Sequence, residues 1–377
     1  MKITRIRTRV MNTPGRNWIF VFVETDAGIT GIGEATTEYQ EQAVVAAIEQ
    51  YFAPRLVGRN PTEIERLWQV MYRLFWWRQG VVMTSAISGI EQALWDVAGK
   101  AYGQPVYRLL GGPCRDRVRL YARGDLGLSS QAEEAQTAVT EGFTAFKWGY
   151  GPTGKPFDEA ENIRVAHDTA RDIVNATGDR LELMVDCAGL FSLNGAIQLI
   201  RGLRDYRVLF VEEPVCVDNL NEMEQLHRAG PGVNLALGER LCTRWGFREF
   251  IERRALDVVQ PDICHAGGIG ELRKIATMAE IYGVKVAPHN PYGPVALAAA
   301  VHFAAATSNF LILEYCRRTP LFFQVQKYGI TIANAHAELP TAPGLGVELD
   351  EELIAQHPYQ PLEIREYYGP DGGVPMV

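Results

Sequence analysis

The sequence predicts an α/β protein in which a (β/α)8-type barrel follows a smaller α+β domain. Three observations predict it. From Val118 onward, short apolar stretches alternate with helical ones, roughly every 25–30 residues. Eight such stretches can be counted, and most of them finish in a charged or ionisable residue. Before them the chain has a different rhythm, with two strand-like segments followed by long helical periodicity.

In chain order, residues 3–10 and 19–25 read as strands, and Gly28 to Gly33 supplies the turns after them. Helical periodicity runs over 40–56. A second long helix is expected over 83–102, where Ile87, Ile90, Leu94 and Val97 share one face. Pro105 and Gly111-Gly112-Pro113 then break the chain. The barrel strands are expected at 118–124, 145–150, 182–187, 208–213, 234–239, 257–262, 284–289 and 311–315. These divide the chain into an α+β domain over 1–117 and a barrel over 118–339. The stretch 340–377, with Pro340, Pro343, Pro358 and Pro361, reads as an irregular tail.

Composition narrows the function classes. At 47% hydrophobic and 22% charged residues, the 377-residue chain is of ordinary globular make-up. A net charge of −8 argues against nucleic acid or an anionic membrane as partner. An anionic substrate remains compatible, because a bound cation inverts the local field. The alternating charged and apolar residues of the N-terminus suit an edge strand and not a signal peptide, and no apolar run is long enough for a membrane helix. Six scattered cysteines without a CxxC pair suit reduced thiols and a cytoplasmic protein.

The chemistry is written at the strand ends. Leu183-Met184-Val185 ends in Asp186, Leu209-Phe210-Val211 in Glu212-Glu213-Pro214, and Leu235-Ala236-Leu237-Gly238 in Glu239. Catalytic groups of such barrels sit at the C-terminal strand ends. Three carboxylates brought to one rim repel one another and raise each other's pKa. A hard divalent cation relieves that cost, and all-oxygen ligation suits Mg²⁺. The alternative for each acid alone is a solvated strand end. On the next two strands, Val258-Val259-Gln260-Pro261 leads to Asp262, and Val286-Ala287-Pro288 leads to His289. A carboxylate beside an imidazole orients it and raises its basicity, as a general base requires. Strand eight ends in Glu314, and Lys147 interrupts the apolar run Ala145-Phe146-Lys147-Trp148 of strand two.

Taken together, these residues resemble the mandelate racemase branch of the enolase superfamily, over nearly the whole chain. Gly31-Ile-Gly-Glu34, Ala93-Leu-Trp-Asp96 and Leu109-Leu-Gly-Gly112 carry the likeness in the first domain. Asp186, Val211-Glu-Glu-Pro214 and Gly238-Glu-Arg240 carry it in the barrel, where Glu212 is by the match the ligand of the Glu-Glu pair. The second half looks closest to D-galactonate dehydratases, through Gln260-Pro-Asp-Ile-Cys-His-Ala-Gly-Gly-Ile269, Ala287-Pro-His-Asn-Pro-Tyr-Gly-Pro294 and Pro343-Gly-Leu-Gly-Val-Glu-Leu-Asp350. The resemblance implies a modified (β/α)7β TIM barrel capped by the α+β domain, which the tail rejoins. It implies one Mg²⁺ per subunit on Asp186, Glu212 and Glu239, proton abstraction next to a substrate carboxylate, and a homo-oligomer. A Lys or His base with Mg²⁺ is the superfamily's general pattern.

Two departures matter. Racemase-type members carry Lys-x-Lys on strand two, and here the stretch is Lys147-Trp148-Gly149. Galactonate dehydratases carry a histidine two residues after the first metal ligand, and here Ala188 stands there. The sequence therefore points to a dehydratase of an aldonate-type sugar acid. His289 is the base, Asp262 its orienter, and Lys147 and Glu314 hold the substrate carboxylate. The acid for the departing hydroxyl stays open between His289 in a syn elimination, Tyr150 and a metal-bound water. Trp18, Trp76, Arg78, Tyr150 and Arg240 are expected to contact the substrate, and plain interdomain packing is the alternative for the segments 14–18 and 75–79. His265 has no assigned role. An epimerase or cycloisomerase of the same superfamily, or a non-catalytic sugar-acid-binding protein, are the alternative functions.

Overall fold

The chain opens with three strands, β1 (Ile3–Thr13), β2 (Arg16–Thr25) and β3 (Thr30–Glu34), paired antiparallel in that order. This computed structural model describes residues 1–73, 76–149, 157–230, 232–317, 320–363 and 371–373. β3 corrects the sequence expectation of mere turns after Gly28. Its two glycines hid it, and they are there for contact: a Cβ on Gly33 would lie 2.0 Å from the carbonyl of Gly89, and one on Gly31 2.1 Å from that of Ala93. The helix Val81–Tyr102 thus lies directly on β3. The middle of β2, Trp18 to Val23, is apolar because both of its faces are covered. Ile19, Val21 and Val23 pack with the first domain's helices, and Trp18, Phe20 and Phe22 pack with the barrel's outer core. The helix expected over 40–56 is three pieces, Glu41–Ala46, a π-helical Ala47–Phe52 and Ala53–Leu56. A further helix, Ile64–Arg73, has no counterpart in the sequence expectations.

The barrel strands are β4 (Arg117–Arg123), β5 (Ala145–Gly149), β6 (Glu182–Asp186), β7 (Val208–Glu212), β8 (Leu235–Leu237), β9 (Val258–Val259), β10 (Lys285–Val286) and β11 (Leu313–Tyr315). They are parallel, each pairs with the next through β10, and β11 pairs with β4. A bridge between Val286 and Phe310 closes the ring. Seven helices connect the eight strands among the described residues, and no long helix comes after β11. This is the (β/α)7β form of the barrel. The last strands are shorter than the sequence predicts: Glu239, Asp262 and His289 lie past the hydrogen-bonded ladder, on the turns that leave it.

The segment after β11 is strand-rich. β12 (Gln326–Tyr328), β13 (Ile332–Ala333), β14 (His336–Glu338) and β15 (Glu348–Leu349) lead to a short helix, Glu351–Gln356. β14 pairs antiparallel with β4, and β12 with β15. The tail then crosses back to the first domain. Arg7 makes a two-pronged ion pair with Glu351 (2.6 and 2.8 Å), and Asn12 donates its N–H to the carbonyl of His357.

Buried polar groups lock the first domain onto the barrel. Glu34 accepts from the N–H groups of Gly293 and Ala296, at the start of the barrel helix Pro294–Ala305. Glu91 does the same for Ile269 and Gly270 at the start of helix Ile269–Ile281. A carboxylate at a helix N-terminus satisfies orphan donors and meets the positive end of the dipole. Asp96 accepts from Ile32, Leu345 and Lys100, so it ties β3, its own helix and the tail at one point. The residues Gly31 to Glu34 and Ala93 to Asp96 therefore hold the two domains together.

Candidate active site

Eight buried side chains fill the barrel lumen: Tyr121, Ala145, Met184, Phe210, Ala236, Val258, Ala287 and Ile312. Side chains alternate faces along a strand, so the residue two places further on faces the same lumen, nearer the C-terminal mouth. Those residues are Arg123, Lys147, Asp186, Glu212, Gly238, Gln260, His289 and Glu314. A layer of charge thus sits directly on a layer of hydrocarbon. Two of the eight are uncharged, Gln260 and Gly238, and the glycine is the instructive one. At Gly238 the backbone turns through a positive φ of 143°, and a Cβ there would lie 2.6 Å from the Phe247 ring. Only glycine takes that turn, and it brings the adjoining Glu239 to the mouth instead.

Asp186, Glu212 and Glu239 converge, with one carboxylate oxygen from each lying within 4.8 Å of the others. Oε1 of Glu212 is buried and has no hydrogen-bond partner among the described residues. Three hard oxygen donors, one of them unsatisfied, fit a hard divalent cation. Burial pushes the Glu212 carboxyl up to about 8; the Lys147 ammonium pulls against that, and the charges of Asp186 and Glu239 add to it. Burial likewise raises Glu239 to about 7, against the pull of His289 and with the help of Glu213 and Asp186.

Lys147 Nζ lies 2.6 Å from Glu212 and 3.2 Å from Glu314. Burial disfavours its charge, but those two carboxylates overcome the penalty and hold its pKa well above the ordinary value. It is a fixed cation and not a base. On the far wall, His289 Nδ1 is 2.7 Å from Asp262 Oδ2. Asp262 is itself fixed by the N–H groups of Cys264 and His265. His289 Nε2 faces the mouth, 3.2 Å from Glu239 and 3.9 Å from Glu314. Burial lowers the imidazole's pKa, yet Glu239, Glu314 and Asp262 together lift it to about 10. Glu314 also accepts from the Asn290 N–H, and the cations Lys147, His289 and Arg123 hold its carboxyl well below the usual range despite burial.

The expected substrate contacts fare differently. Trp18, expected at the substrate, is buried at 1% exposure on the barrel side, edge-on to Phe20 and Phe322, because it shares the face of β2 with Phe20 and Phe22. From the same segment it is Arg16 that reaches the barrel, bonding the Pro291 carbonyl and standing over the Tyr292 ring. Trp76 stands in solvent, 94% exposed. Arg78 lies 5.5 Å from the Tyr72 ring, on the stack of Tyr72, Trp245 and Trp68. Arg240 is committed to an ion pair with Glu213 and to the Ala188 carbonyl. Tyr150 lies outside the described residues.

Three residues go beyond the sequence expectations. Arg123 ends β4 in the same lumen-facing register as Lys147, and the rule that strands end in ionisable residues, applied to the first barrel strand, is the signal that could have found it. Tyr292 meets the His289 ring edge-on at 6.0 Å. His265, without a role on sequence grounds, bonds the Tyr292 hydroxyl through Nε2 (2.7 Å) and Ser85 through Nδ1 (2.8 Å), so it anchors the ring that buttresses His289. No signal in the sequence pointed to that chain of contacts.

The comparisons with known proteins agree with this architecture. Residues 4–111 match the model described as mandelate racemase / muconate lactonizing enzyme, N-terminal domain, and residues 130–353 match the enolase C-terminal domain-like model. The chain belongs to the mandelate racemase/muconate lactonizing enzyme family of the enolase superfamily. Among its relatives, D-galactonate dehydratase of Pectobacterium atrosepticum is 36% identical, with 99% of both chains covered. The enzyme of the same name from Ralstonia pickettii is 38% identical, with 94% of both covered. An enolase from Agrobacterium radiobacter, solved with sodium and L-malate, superposes with a TM-score of 0.92 at 34% identity, with both chains fully covered. An enolase from Pantoea ananatis, solved with D-gluconate and magnesium, gives 0.91 at 28% identity, again with both chains fully covered. In this family member Ala188 takes a positive φ of 51° and donates its N–H to Asp186, so position 188 itself offers no side-chain acid.

Proposed function

We propose that this chain is a Mg²⁺-dependent dehydratase of a sugar acid, which removes the proton next to the carboxylate and then expels the β-hydroxyl as water. The observation that carries the reading is the opposition of two groups across one mouth. On one side stands His289, oriented by Asp262; on the other stand the acidic triad and the buried cation Lys147. The relatives named D-galactonate dehydratase support the same reaction class.

Asp186, Glu212 and Glu239 would hold the ion. A bound Mg²⁺ supplies positive charge at the substrate carboxylate, where a second negative charge develops on deprotonation. Lys147 adds a fixed positive charge at the same place, and Glu314 positions the carboxylate end from the opposite side. His289 takes the α-proton at Nε2 while Asp262 holds Nδ1. The charge of Glu239 is among those that lift the imidazole's pKa to about 10, and an ion held there would relieve it and bring His289 down toward the range of a base. Alanine stands at 188 and Lys147 and Arg123 stay charged, so in this reading the proton that His289 takes is also the one it returns. His289 therefore returns the proton to the β-hydroxyl on the same face. Water leaves, and the resulting enol becomes a 2-keto-3-deoxy acid. A racemase would need a second base facing His289, and the fixed charge of Lys147 withholds it. A cytoplasmic, homo-oligomeric enzyme belongs to the same reading.

The test is a screen of four- to six-carbon aldonates and aldarates with Mg²⁺, reading 2-keto acid release. Release from at least one is expected; folded, Mg²⁺-loaded protein that releases none would sink the dehydratase reading. A second expectation concerns the ion. Glu212 and Glu239 are raised to about 8 and about 7 without metal, so they are largely protonated below those values and must ionise to bind it. Mg²⁺ affinity should rise with pH through 7 to 8, with protons released on binding. A raised carboxylate also stabilises the fold only while protonated, so the metal-free protein should lose stability as pH rises through that window. The Mg²⁺-induced gain in Tm should accordingly be larger at pH 8 than at pH 6. Calorimetry in two buffers of different ionisation enthalpy, with thermal melts, checks both signs.

A further inference from the structure

Asp262 and His289 stand on the turns that leave β9 and β10, and the first domain grips both turns. After β9, the Gln92 amide donates to the Ile263 carbonyl at 3.1 Å. Ser88 Oγ accepts from the Gly267 N–H, and the Trp68 indole donates to the Gly267 carbonyl, each at 2.9 Å. After β10, Arg16 donates to the Pro291 carbonyl and Glu34 accepts from the Gly293 N–H. The three acidic ion-site positions are held differently, because their turns are tied to one another within the barrel. The Cys187 N–H donates to the Glu212 carbonyl at 2.9 Å and the Gly189 N–H to the Glu213 carbonyl at 2.8 Å. Arg240 joins Glu213 to the Ala188 carbonyl. Among the described residues, the first domain makes one hydrogen bond to these turns, from the Thr84 hydroxyl to Cys242 Sγ at 3.2 Å. The proton-transfer side of the mouth therefore hangs on the first domain, and the ion side hangs on the barrel.

A file of side chains runs from that domain to the base. Ser85, on the helix Val81–Tyr102, meets His265 Nδ1 at 2.8 Å, and His265 Nε2 meets the Tyr292 hydroxyl at 2.7 Å. All three residues are buried. The Tyr292 ring then stands edge-on to the His289 ring, with 6.0 Å between centroids and 89° between planes. His265 also donates its backbone N–H to Asp262, so one residue touches both the partner and the buttress of the base. Burial pushes the His265 imidazole's pKa down, so the ring is neutral at neutral pH, with one donor and one acceptor nitrogen. A polar neighbour at each nitrogen fixes its plane and its tautomer. Tyr292 in turn cannot rotate away without losing the His265 bond. The file carries no proton in the dehydration, and its consequence is geometric.

We propose that His265 is a positioning residue for the base: held by Ser85, it pins Tyr292 against the His289 ring, so that the first domain sets the geometry of proton abstraction while the barrel sets the ion site. The inference rests on the dehydratase reading for His289 as the base. Removing a proton from carbon needs the reacting atoms in near-attack geometry, and a misplacement of about 1 Å costs about 10²-fold. The bond from His289 Nδ1 to Asp262 is a single point of attachment, about which the ring can still pivot. The edge of Tyr292 blocks that pivot, and His265 keeps the edge in place.

The test uses the whole chain loaded with Mg²⁺ and the variants Ser85→Ala, Tyr292→Phe, their double, His265→Ala and His265→Gln. Ser85→Ala and Tyr292→Phe each remove one oxygen atom and keep the packed carbon skeleton, so they carry the test if His265→Ala does not fold. Each single variant except His265→Gln should slow exchange of the substrate α-proton with solvent by about 10–10²-fold at saturating sugar acid, with KM and Mg²⁺ affinity within about twofold of wild type. Because the links are in series, the double variant should be no slower than the slower of its two singles. His265→Gln, whose amide reaches as far as Nε2, should recover part of what His265→Ala loses. A second readout needs no substrate. The Nδ1 proton resonance of His289, identified by its disappearance in His289→Asn, should shift or broaden in Ser85→Ala and Tyr292→Phe. Exchange at the wild-type rate in both of these variants would overturn the proposal. So would losses that add in the double variant, or that come with an equal loss of Mg²⁺ affinity, because these mark general loosening. A raised KM with unchanged exchange at saturation would assign Tyr292 to substrate binding and overturn it as well. The two readings fail separately. If the wild type exchanges the α-proton of no sugar acid, the dehydratase reading falls, and the His289 resonance alone decides the positioning: moved by the variants it stands, unmoved it falls. Wild-type exchange that the variants leave untouched removes the positioning and leaves the dehydratase.

Discussion

His289→Asn should abolish turnover while leaving the fold and Mg²⁺ binding nearly intact. The imidazole reaches the mouth through Nε2, and its Nδ1 is held by Asp262 at 2.7 Å. Asparagine preserves a polar group of similar reach but neither takes nor returns a proton. In the proposed mechanism His289 acts twice, so its loss blocks both halves of the reaction. General acid–base catalysis contributes about 10²–10⁴-fold per group, and the deficit here should reach at least the upper part of that range. Asp262→Asn should cost less, because the imidazole remains and loses only its orienting partner. The measurement that separates the steps is exchange of the substrate α-proton with solvent, tracked by NMR. It reports abstraction even where water loss is blocked. Exchange at the wild-type rate in His289→Asn would show that another group is the base.

Lys147→Met carries the largest expected effect on stability. The ammonium is buried with Glu212 at 2.6 Å and Glu314 at 3.2 Å. Removing one partner of a buried ion pair leaves an uncompensated charge and costs about 3–5 kcal/mol. The variant's carboxylates can escape only by protonation, so the sign of the pH dependence is fixed. Glu314 is held low in the native protein, and the stability that this provides exists above the ordinary carboxylate range. That contribution is what the variant loses. That loss is already felt at pH 5; without the ammonium, burial raises the Glu212 and Glu314 carboxyls further, so the defect should grow between pH 5 and pH 8 in the metal-free protein. Mg²⁺ should restore part of it, by replacing the lost positive charge beside Glu212. Catalysis should fall about 10²–10³-fold, as when a preorganised charge-stabilising group is removed. Thermal melts at both pH values, with and without Mg²⁺, decide the matter. Metal-free melts that match wild type at pH 8 would refute the buried pairing.

The strand-end carboxylates are legible in the sequence because a parallel barrel strand is apolar on both faces until it reaches the mouth. A single charge after Leu-Met-Val or Leu-Phe-Val is then conspicuous, and Asp186 and Glu212 stand out on that ground. Glu239 obeys the same rule, although it reaches the site for a different reason, the positive-φ turn at Gly238. Asp262 and His289 are visible as neighbouring strand ends, yet the ladder stops before either. Sequence is least informative about which of two residues on one strand face is covered. Trp18 and Arg16 are two residues apart on β2, but Trp18 packs into the core while Arg16, at the strand's start, leans out to the barrel loop. An aromatic residue beside an arginine does not say which of them is covered. The link from Ser85 through His265 to Tyr292 spans 180 residues in one step, and periodicity carries no information at that range. β3 is hidden because glycines that admit a helix at close contact look the same in sequence as glycines that make turns.

The tail's return to the first domain bears on the order in which the molecule is made. Asp96 accepts a hydrogen bond from Leu345, 249 residues later, and Arg7 finds Glu351 344 residues later. A ribosome adding about 5–20 residues per second needs roughly 12–50 s to cover the interval between Asp96 and Leu345. Throughout that time the first domain has emerged without the strands and the helix that finish it. Glu34 and Glu91 also await the barrel helices they cap. The nascent first domain is thus obliged to wait, half-assembled and with buried-type carboxylates facing water, until the barrel closes beneath it. The last segment to arrive acts as the clasp that ends the wait.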